Sequence, residues 1–234
     1  MLKSGIDQDA LIEQFATASA KQTAQLKTAV TEATLKALQG REMSLKNIRG
    51  VIKSVTEAAS TGAAQNITPK LDVEKMLDTA VAGMDQALLK AVEANKMALS
   101  RLAEQGADLK DKHLKKALAD LEKFEDTLFS TVKKAAGSAG DGLTGPWTQV
   151  MEKFQQGGSA SGAQATATVE QLTGQMQQAL RQGRATGLKA AQTLAESYTA
   201  MVSGVLIGMT EALSQGSTST AATDEPAAKL RRKR

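Results

Sequence analysis

The sequence predicts an all-α protein: elongated amphipathic helices arranged as an antiparallel bundle or coiled-coil-like array, with a disordered C-terminal tail. Three observations predict it. Aromatic residues are only 3% of the 234 residues, so the apolar 41% is mostly Ala, Leu, Val and Met spread along the chain. Large aromatics dominate compact cores because each buries much surface at once, and their shortage argues against a β-sandwich. The chain has only three Pro, and apolar residues recur in steps of three and four, the period of one helix face. The lack of Cys excludes a disulfide scaffold and a zinc site built on thiolates.

Residues 1–68 read as an N-terminal helical region of two helices. The first covers about Gln8 to Gln39, with Leu11, Phe15, Leu26, Val30, Ala33 and Ala37 at helical spacing. Gln22 interrupts it and Gly40 stops it. The second covers about Ser44 to Ala59 and carries Leu45, Ile48, Ile52, Val55 and Ala59 on one stripe. Gly50 weakens it from within. Thr68-Pro69 then reads as an N-cap followed by Pro at the first helical position, with Asp72 and Glu74 in the first turn. Those residue types suit orphan N–H groups and the positive end of the helix dipole. The helix so opened, residues 69–136, is expected as one long central rod of roughly 100 Å. Its weakest point is Gly106.

Residues 137–162 read as a Gly-rich hinge with a short helix. Gly137 to Pro146 holds four glycines and a proline, Trp147 to Gln156 is the short helix, and Trp147 plugs a joint between helices. Gly157-Gly158-Ser159-Ala160-Ser161-Gly162 has the composition of a flexible linker. Residues 163–213 are expected as a C-terminal amphipathic helix, and residues 214–234 as a disordered basic tail.

The C-terminal helix carries an eleven-residue repeat. Val169, Leu172 and Met176 are followed by Leu180, Gly183 and Gly187, then Ala191, Leu194 and Tyr198, then Val202, Val205 and Met209, with Leu213 closing the series. A seven-residue repeat from Val169 decays into Ser197 and Glu211. Residues 69–136 show a weaker form of the same repeat, with Leu77, Leu88, Leu99, Leu121 and Val132 in one register, broken at Lys110. Eleven residues over three turns is about 3.67 per turn, so the apolar stripe runs nearly straight. A straight stripe suits either another helix or a flat apolar surface along which the helix lies.

The most apolar window, Met201 to Met209, is too short to span a bilayer. It is either a buried helix end or an interfacial anchor, and Met adapts to irregular surfaces. The surface- or partner-binding candidates are therefore Leu194, Tyr198, Val202, Val205, Leu206 and Met209. Gly183/Gly187 and Gly204/Gly208 repeat a small-xxx-small spacing that favours close helix packing. At the C-terminus, Lys229, Arg231, Arg232, Lys233 and Arg234 form a cluster that attracts polyanions, nucleic acid or anionic lipid. The competing reading is a solubilising tail.

The chemistry of catalysis is poorly represented. The single His, His113, lies among Lys110, Lys112, Lys115 and Lys116 and reads as a solvated helix residue. Acids and bases balance at twelve each between Lys70 and Ala136, which describes a solvated face. The Gly-rich stretches lack the Lys-Ser/Thr of a phosphate-binding loop. No catalytic residue, metal or cofactor is expected. No run of about 18 apolar residues exists, so no transmembrane span is expected. The N-terminal Met-Leu-Lys-Ser-Gly-Ile-Asp has no apolar signal core, which makes cytoplasmic the expected location.

The helices, their Ala/Gln/Thr/Lys-rich surfaces and the basic tail resemble the phasin family, which coats bacterial polyhydroxyalkanoate granules. The resemblance is carried by stretches such as Val73-Glu74-Lys75-Met76-Leu77-Asp78-Thr79-Ala80 and Ala190-Ala191-Gln192-Thr193-Leu194-Ala195-Glu196-Ser197-Tyr198. It implies a non-enzymatic coat protein that forms a homo-oligomer, organises an apolar inclusion or lipid-like surface, and touches DNA through its tail. Two alternatives stay open from the residues alone: a cytoplasmic coiled-coil scaffold whose stripes meet only other helices, and a nucleic-acid-associated protein.

Overall fold

The computed structural model describes residues 5–18, 22–39, 44–66, 72–104, 112–181 and 200–211, and every regular element among them is helical. In chain order the helices are α1 (Gln8–Thr17), α2 (Thr23–Leu38), α3 (Leu45–Gln65), α4 (Val73–Glu104), α5 (Lys112–Glu122), α6 (Phe124–Ala136), α7 (Asp141–Gly157) and α8 (Ala160–Arg181). Residues 200–211 are helical as well. The all-α bundle expected from the apolar spacing is what the chain forms.

Several helices start where short polar side chains satisfy orphan backbone donors. The Asp7 carboxylate accepts from the Ala10 N–H at 3.2 Å, and the Ser44 hydroxyl from the Asn47 N–H at 3.4 Å. At α4 the Asp72 carboxylate accepts from the Lys75 N–H at 3.1 Å. The cap expected at Thr68-Pro69 lies outside the described residues, as do Gly40 and Gly106.

The stripe on α3 is buried as its spacing predicts: Ile48, Ile52, Val55 and Ala59 are all in the core. The helix runs past Ala59 to Gln65 and also buries Val51, Ala58 and Ala63. That wide face is covered because α3 lies against α1, α4 and α6 together. Helix α4 is likewise enclosed by α2, α3, α7 and α8. The α3–α4 pair is thus the centre of the bundle, with α1 and α2 laid on it in one group and α6 and α8 in another.

Glycine decides how closely the outer helices approach this pair. A Cβ on Gly62 would stand 2.4 Å from the Phe15 Cβ and 2.6 Å from the Ile12 carbonyl, so α1 crosses α3 at that point with no room to spare. A Cβ on Gly83 would meet the Lys27 carbonyl at 2.9 Å, where α2 crosses α4. At that crossing the Thr31 hydroxyl lies 3.1 Å from the Gly83 carbonyl oxygen and 2.9 Å from that of Lys27, and donates between them.

Three expectations need correction. The N-terminal region expected as two helices holds three among the described residues, because Gln8 to Gln39 divides into α1 and α2, with Ala18 and Gln22 outside the helical conformation. The single rod over 69–136 is instead α4, α5 and α6. Lys123 leaves the helical conformation, at φ −93° and ψ 6°, between α5 and α6. Helix α6 then lies on α3, the helix that also lies on α4. A straight rod would carry Phe124, Leu128 and Val132 away from any partner, and the turn buries all three. The Gly-rich hinge of 137–162 is mostly helix. Helix α7 occupies seventeen of its residues and runs through Pro146. Proline removes one backbone donor, but it falls near the start of α7, beside the exposed Gly142 and Gly145, where water can serve the freed carbonyl. Gly140 at φ +90° and Gly158 at φ +70° hold the two bends that frame α7.

Trp147 does plug a joint. Its ring is buried, and its indole N–H donates at 3.0 Å to the Ser60 hydroxyl on α3. Ser60 in turn donates to the Thr56 carbonyl at 2.8 Å. Phe154 on the same helix meets Phe129 of α6 edge-on, with ring centroids 5.3 Å apart.

Candidate functional site: the two ends of the C-terminal arm

The apolar window singled out by the sequence lies in helical residues 200–211. Val202 and Leu206, one turn apart, are fully buried in the common core. Met201 and Val205 are half-buried against it, and so is Met209 in its surroundings. Each full burial contributes about 1.5–3 kcal/mol. The Thr210 hydroxyl accepts from the Gln39 side-chain amide at 2.8 Å, which ties this segment to the end of α2, and donates to the Leu206 carbonyl. Ser203 and Glu211 make further interactions.

The opposite side faces outward. Ala200, Gly204, Ile207, Gly208 and Glu211 are exposed, and their spacing of four, three, one and three puts them on one helix face. Ile207 is 45% exposed, a large apolar side chain left in water. Sequence reasoning missed it, although an Ile set between two glycines at small-residue spacing was a signal that could have found it. The close packing expected at Gly204 and Gly208 is corrected: nothing lies within 4 Å of a Cβ built on either. Among the described residues their small size serves no neighbouring helix, and each weakens the helix by roughly 1 kcal/mol relative to Ala.

Of the six candidates, then, Val202 and Leu206 face the core and Val205 and Met209 its edge. Leu194 and Tyr198 lie outside the described residues. So do Gly183 and Gly187, and so do Lys229, Arg231, Arg232, Lys233 and Arg234.

The other end of the C-terminal arm, whose described parts are residues 157–181 and 200–211, is Gly157 to Gly162, expected as a flexible linker. That expectation is corrected: it is the most heavily hydrogen-bonded junction described. Asp85 of α4 turns a buried carboxylate onto the first turn of α8. It accepts from the Ala160 N–H at 3.0 Å, the Ser161 N–H at 3.0 Å and the Ser161 hydroxyl at 2.5 Å. Glu125 of α6 accepts from the Ser159 N–H at 3.0 Å and the Ser159 hydroxyl at 2.9 Å. Ser159 also caps the helix itself, accepting from the Gly162 N–H at 2.9 Å.

Two carboxylates thus meet the positive end of one helix, with donors for each. No cation is needed to balance them there. Gly162 is required because a Cβ would stand 2.5 Å from both the Glu125 Cδ and the Ser159 hydroxyl. Beyond the clamp, Ser161, Ala165, Thr168 and Leu172 form the buried stripe of α8 against α4. The small Ser161, Ala165 and Thr168 let the two helices lie close before Leu172 packs between them.

Among the described residues, no three of His, Asp and Glu gather as a metal site, and no helix is long and apolar enough to cross a membrane. Neither a curated protein nor a solved structure matches the chain. A family profile does match, over residues 1–215, and it takes in both the clamp and the apolar segment. The chain belongs to that family, DUF6781, a family of unknown function.

Proposed function

We propose that this protein is a non-enzymatic amphipathic helical protein that self-associates and coats or organises an apolar inclusion or lipid-like surface in the cytoplasm, as phasins do. The observation that carries the reading is the two-sided character of residues 200–211. Val202 and Leu206 cover the core on one side, while Ile207 stands in water on the other. A helix that only closed a bundle would have a polar outer face. Here the outer face offers Ala200, Gly204, Ile207 and Gly208 to a contacting surface, with the charged Glu211 at its end and Val205 and Met209 at its flanks. The sequence resemblance to phasins supports the same reading, whereas described members of the eleven-residue stripe, Leu172 and Val202 among them, are taken up by the protein's own core.

The test is co-sedimentation with polyhydroxyalkanoate particles and with uncharged phospholipid vesicles. The wild-type chain is expected to pellet with one of them and to gain helical circular dichroism. Ile207→Asp, which puts a charge on the outer face without touching the core, is expected to weaken pelleting at least tenfold. Equal pelleting of the two proteins, or none by either, removes the reading. The basic cluster Lys229 to Arg234 is proposed as an added electrostatic contact with polyanions. It predicts salt-sensitive DNA binding that disappears on deleting residues 229–234.

A further inference from the structure

We infer that residues 200–211 form a releasable strap, and that α8 stays pinned at its N-terminus by Asp85 and Glu125 when the strap leaves the core. The inference concerns how the arm moves. Its use at a surface rests on the reading above, but its existence does not.

The two ends of the arm are held by different physics. At Ala160–Gly162, carboxylates from two separate helices accept from three backbone N–H or hydroxyl groups of α8 and two of Ser159. Asp85 is buried, so parting it from these donors would leave a carboxylate and backbone N–H groups unpaired inside the protein. Such a junction opens only with the bundle. At 200–211 the attachments are the core-packed Met201, Val202, Val205 and Leu206 side chains, a neutral hydrogen bond between Gln39 and Thr210, and further interactions of Ser203 and the exposed Glu211. Moving this segment out strands no buried charge. Its outer side carries two glycines that do nothing for packing and lower its helical stability. Local opening draws on the less stable parts of a fold, and the charge in 200–211, Glu211, is already exposed, whereas the start of α8 meets the buried Asp85. Release would add Val202 and Leu206 to the apolar side chains in water, on the face away from Ile207, while α8 stays attached.

The absence of Cys makes the test direct. Leu206→Cys and Leu172→Cys each place one thiol at a buried position, in the strap and on α8 respectively. Both full-length variants are treated with a thiol reagent in solution, with no lipid or polymer present. Leu206→Cys is expected to react about tenfold faster or more. Adding Asp85→Asn is expected to raise the Leu172→Cys rate about tenfold and to leave the Leu206→Cys rate unchanged. The emission of Trp147, the chain's single Trp, is expected to stay that of a buried indole throughout labelling of Leu206→Cys.

Equal rates at the two positions overturn the inference. So does a shift of Trp147 emission that tracks labelling at position 206, because it would mean that the whole bundle opens. Should Asp85→Asn not fold, Ser161→Ala, which removes one donor from the same carboxylate, is read in its place. If it too leaves the Leu172→Cys rate unchanged, the pinning is wrong. Loss of surface binding with an intact rate difference sinks the proposed function and leaves the strap. Equal rates with intact surface binding do the reverse.

Discussion

Residues 157–162 and 203–208 each hold a pair of glycines four positions apart, Gly158/Gly162 and Gly204/Gly208, and those glycines have opposite surroundings. In the first, a glycine is squeezed between Glu125 and Ser159; the Ser159, Ala160 and Ser161 donors meet carboxylates, and the Gly162 N–H meets the Ser159 hydroxyl. In the second, two glycines face open space beside an exposed Ile207. Composition records only that side chains are absent. Whether the gap is filled by a neighbour or left open depends on residues elsewhere in the chain, here Asp85, seventy-six positions before Ser161, and Glu125, thirty-four before Ser159.

The comparison breaks most severely at Asp85. Asp85→Ala removes the acceptor for two backbone N–H groups and one hydroxyl at once. Losing such charge-assisted bonds while leaving buried donors unpaired is expected to cost about 3 kcal/mol. Urea unfolding checks it as a lowered midpoint at unchanged slope. A loss below about 1 kcal/mol would mean that water serves those donors as well as Asp85 does, and that the start of α8 is no firmer than the strap.

Glycine-to-alanine changes sharpen the contrast because the two ends predict opposite signs. At Gly162 the added Cβ collides with the Glu125 carboxyl group and the Ser159 hydroxyl, so the variant is expected to lose about 1–2 kcal/mol despite the better helix propensity of Ala. At Gly208 the methyl group enters open space, and the same change is expected to gain about 0.5–1 kcal/mol. Amide exchange read peptide by peptide separates them. Residues 200–211 are expected to exchange about two- to fivefold more slowly in Gly208→Ala, and the start of α8 faster in Gly162→Ala. If both variants shift in one direction, the ends do not differ as described.

These differences show where the sequence was legible. The α3 stripe could be read because Ile48, Ile52, Val55 and Ala59 obey a local period, and Trp147 because one large aromatic in an aromatic-poor chain has to be buried somewhere. The break at Lys123 could not be read. It has neither Gly nor Pro, and its cause is the burial of Phe124, Leu128 and Val132 against α3, a helix distant in sequence. The clamp was illegible for the same reason: Gly-Gly-Ser-Ala-Ser-Gly reads as a linker until two remote carboxylates are placed on it. Of the apolar window, periodicity picked Val202, Val205 and Met209, of which Val202 alone is fully buried; Leu206 was legible only as part of an apolar run, and the outward position of Ile207 is a property of the assembled bundle.

The smallest expected effect serves as a control, because it touches neither end of the arm. The Lys153 ammonium of α7 donates to the Glu74 carboxylate in the first turn of α4. That hydrogen bond, and then the charge of Glu74, raise the Lys153 pKa above its ordinary 10.5. Glu74 lies about 16 Å along α4 from Asp85, so the tie acts away from the clamp. A lysine raised on folding contributes stability that is complete below its unfolded pKa and is lost as pH climbs through the folded one. The difference in unfolding midpoint between wild type and Lys153→Gln is therefore expected to stay constant from pH 7 to about pH 9 and to shrink above about pH 10.5. It is expected to be small throughout, since the ammonium is exposed and water screens the pair. The ratio of thiol labelling between Leu206→Cys and Leu172→Cys is expected not to follow it. A ratio that fell as the Lys153–Glu74 pair dissolved would show that the strap and the clamp answer to the whole bundle, and not each to its own contacts.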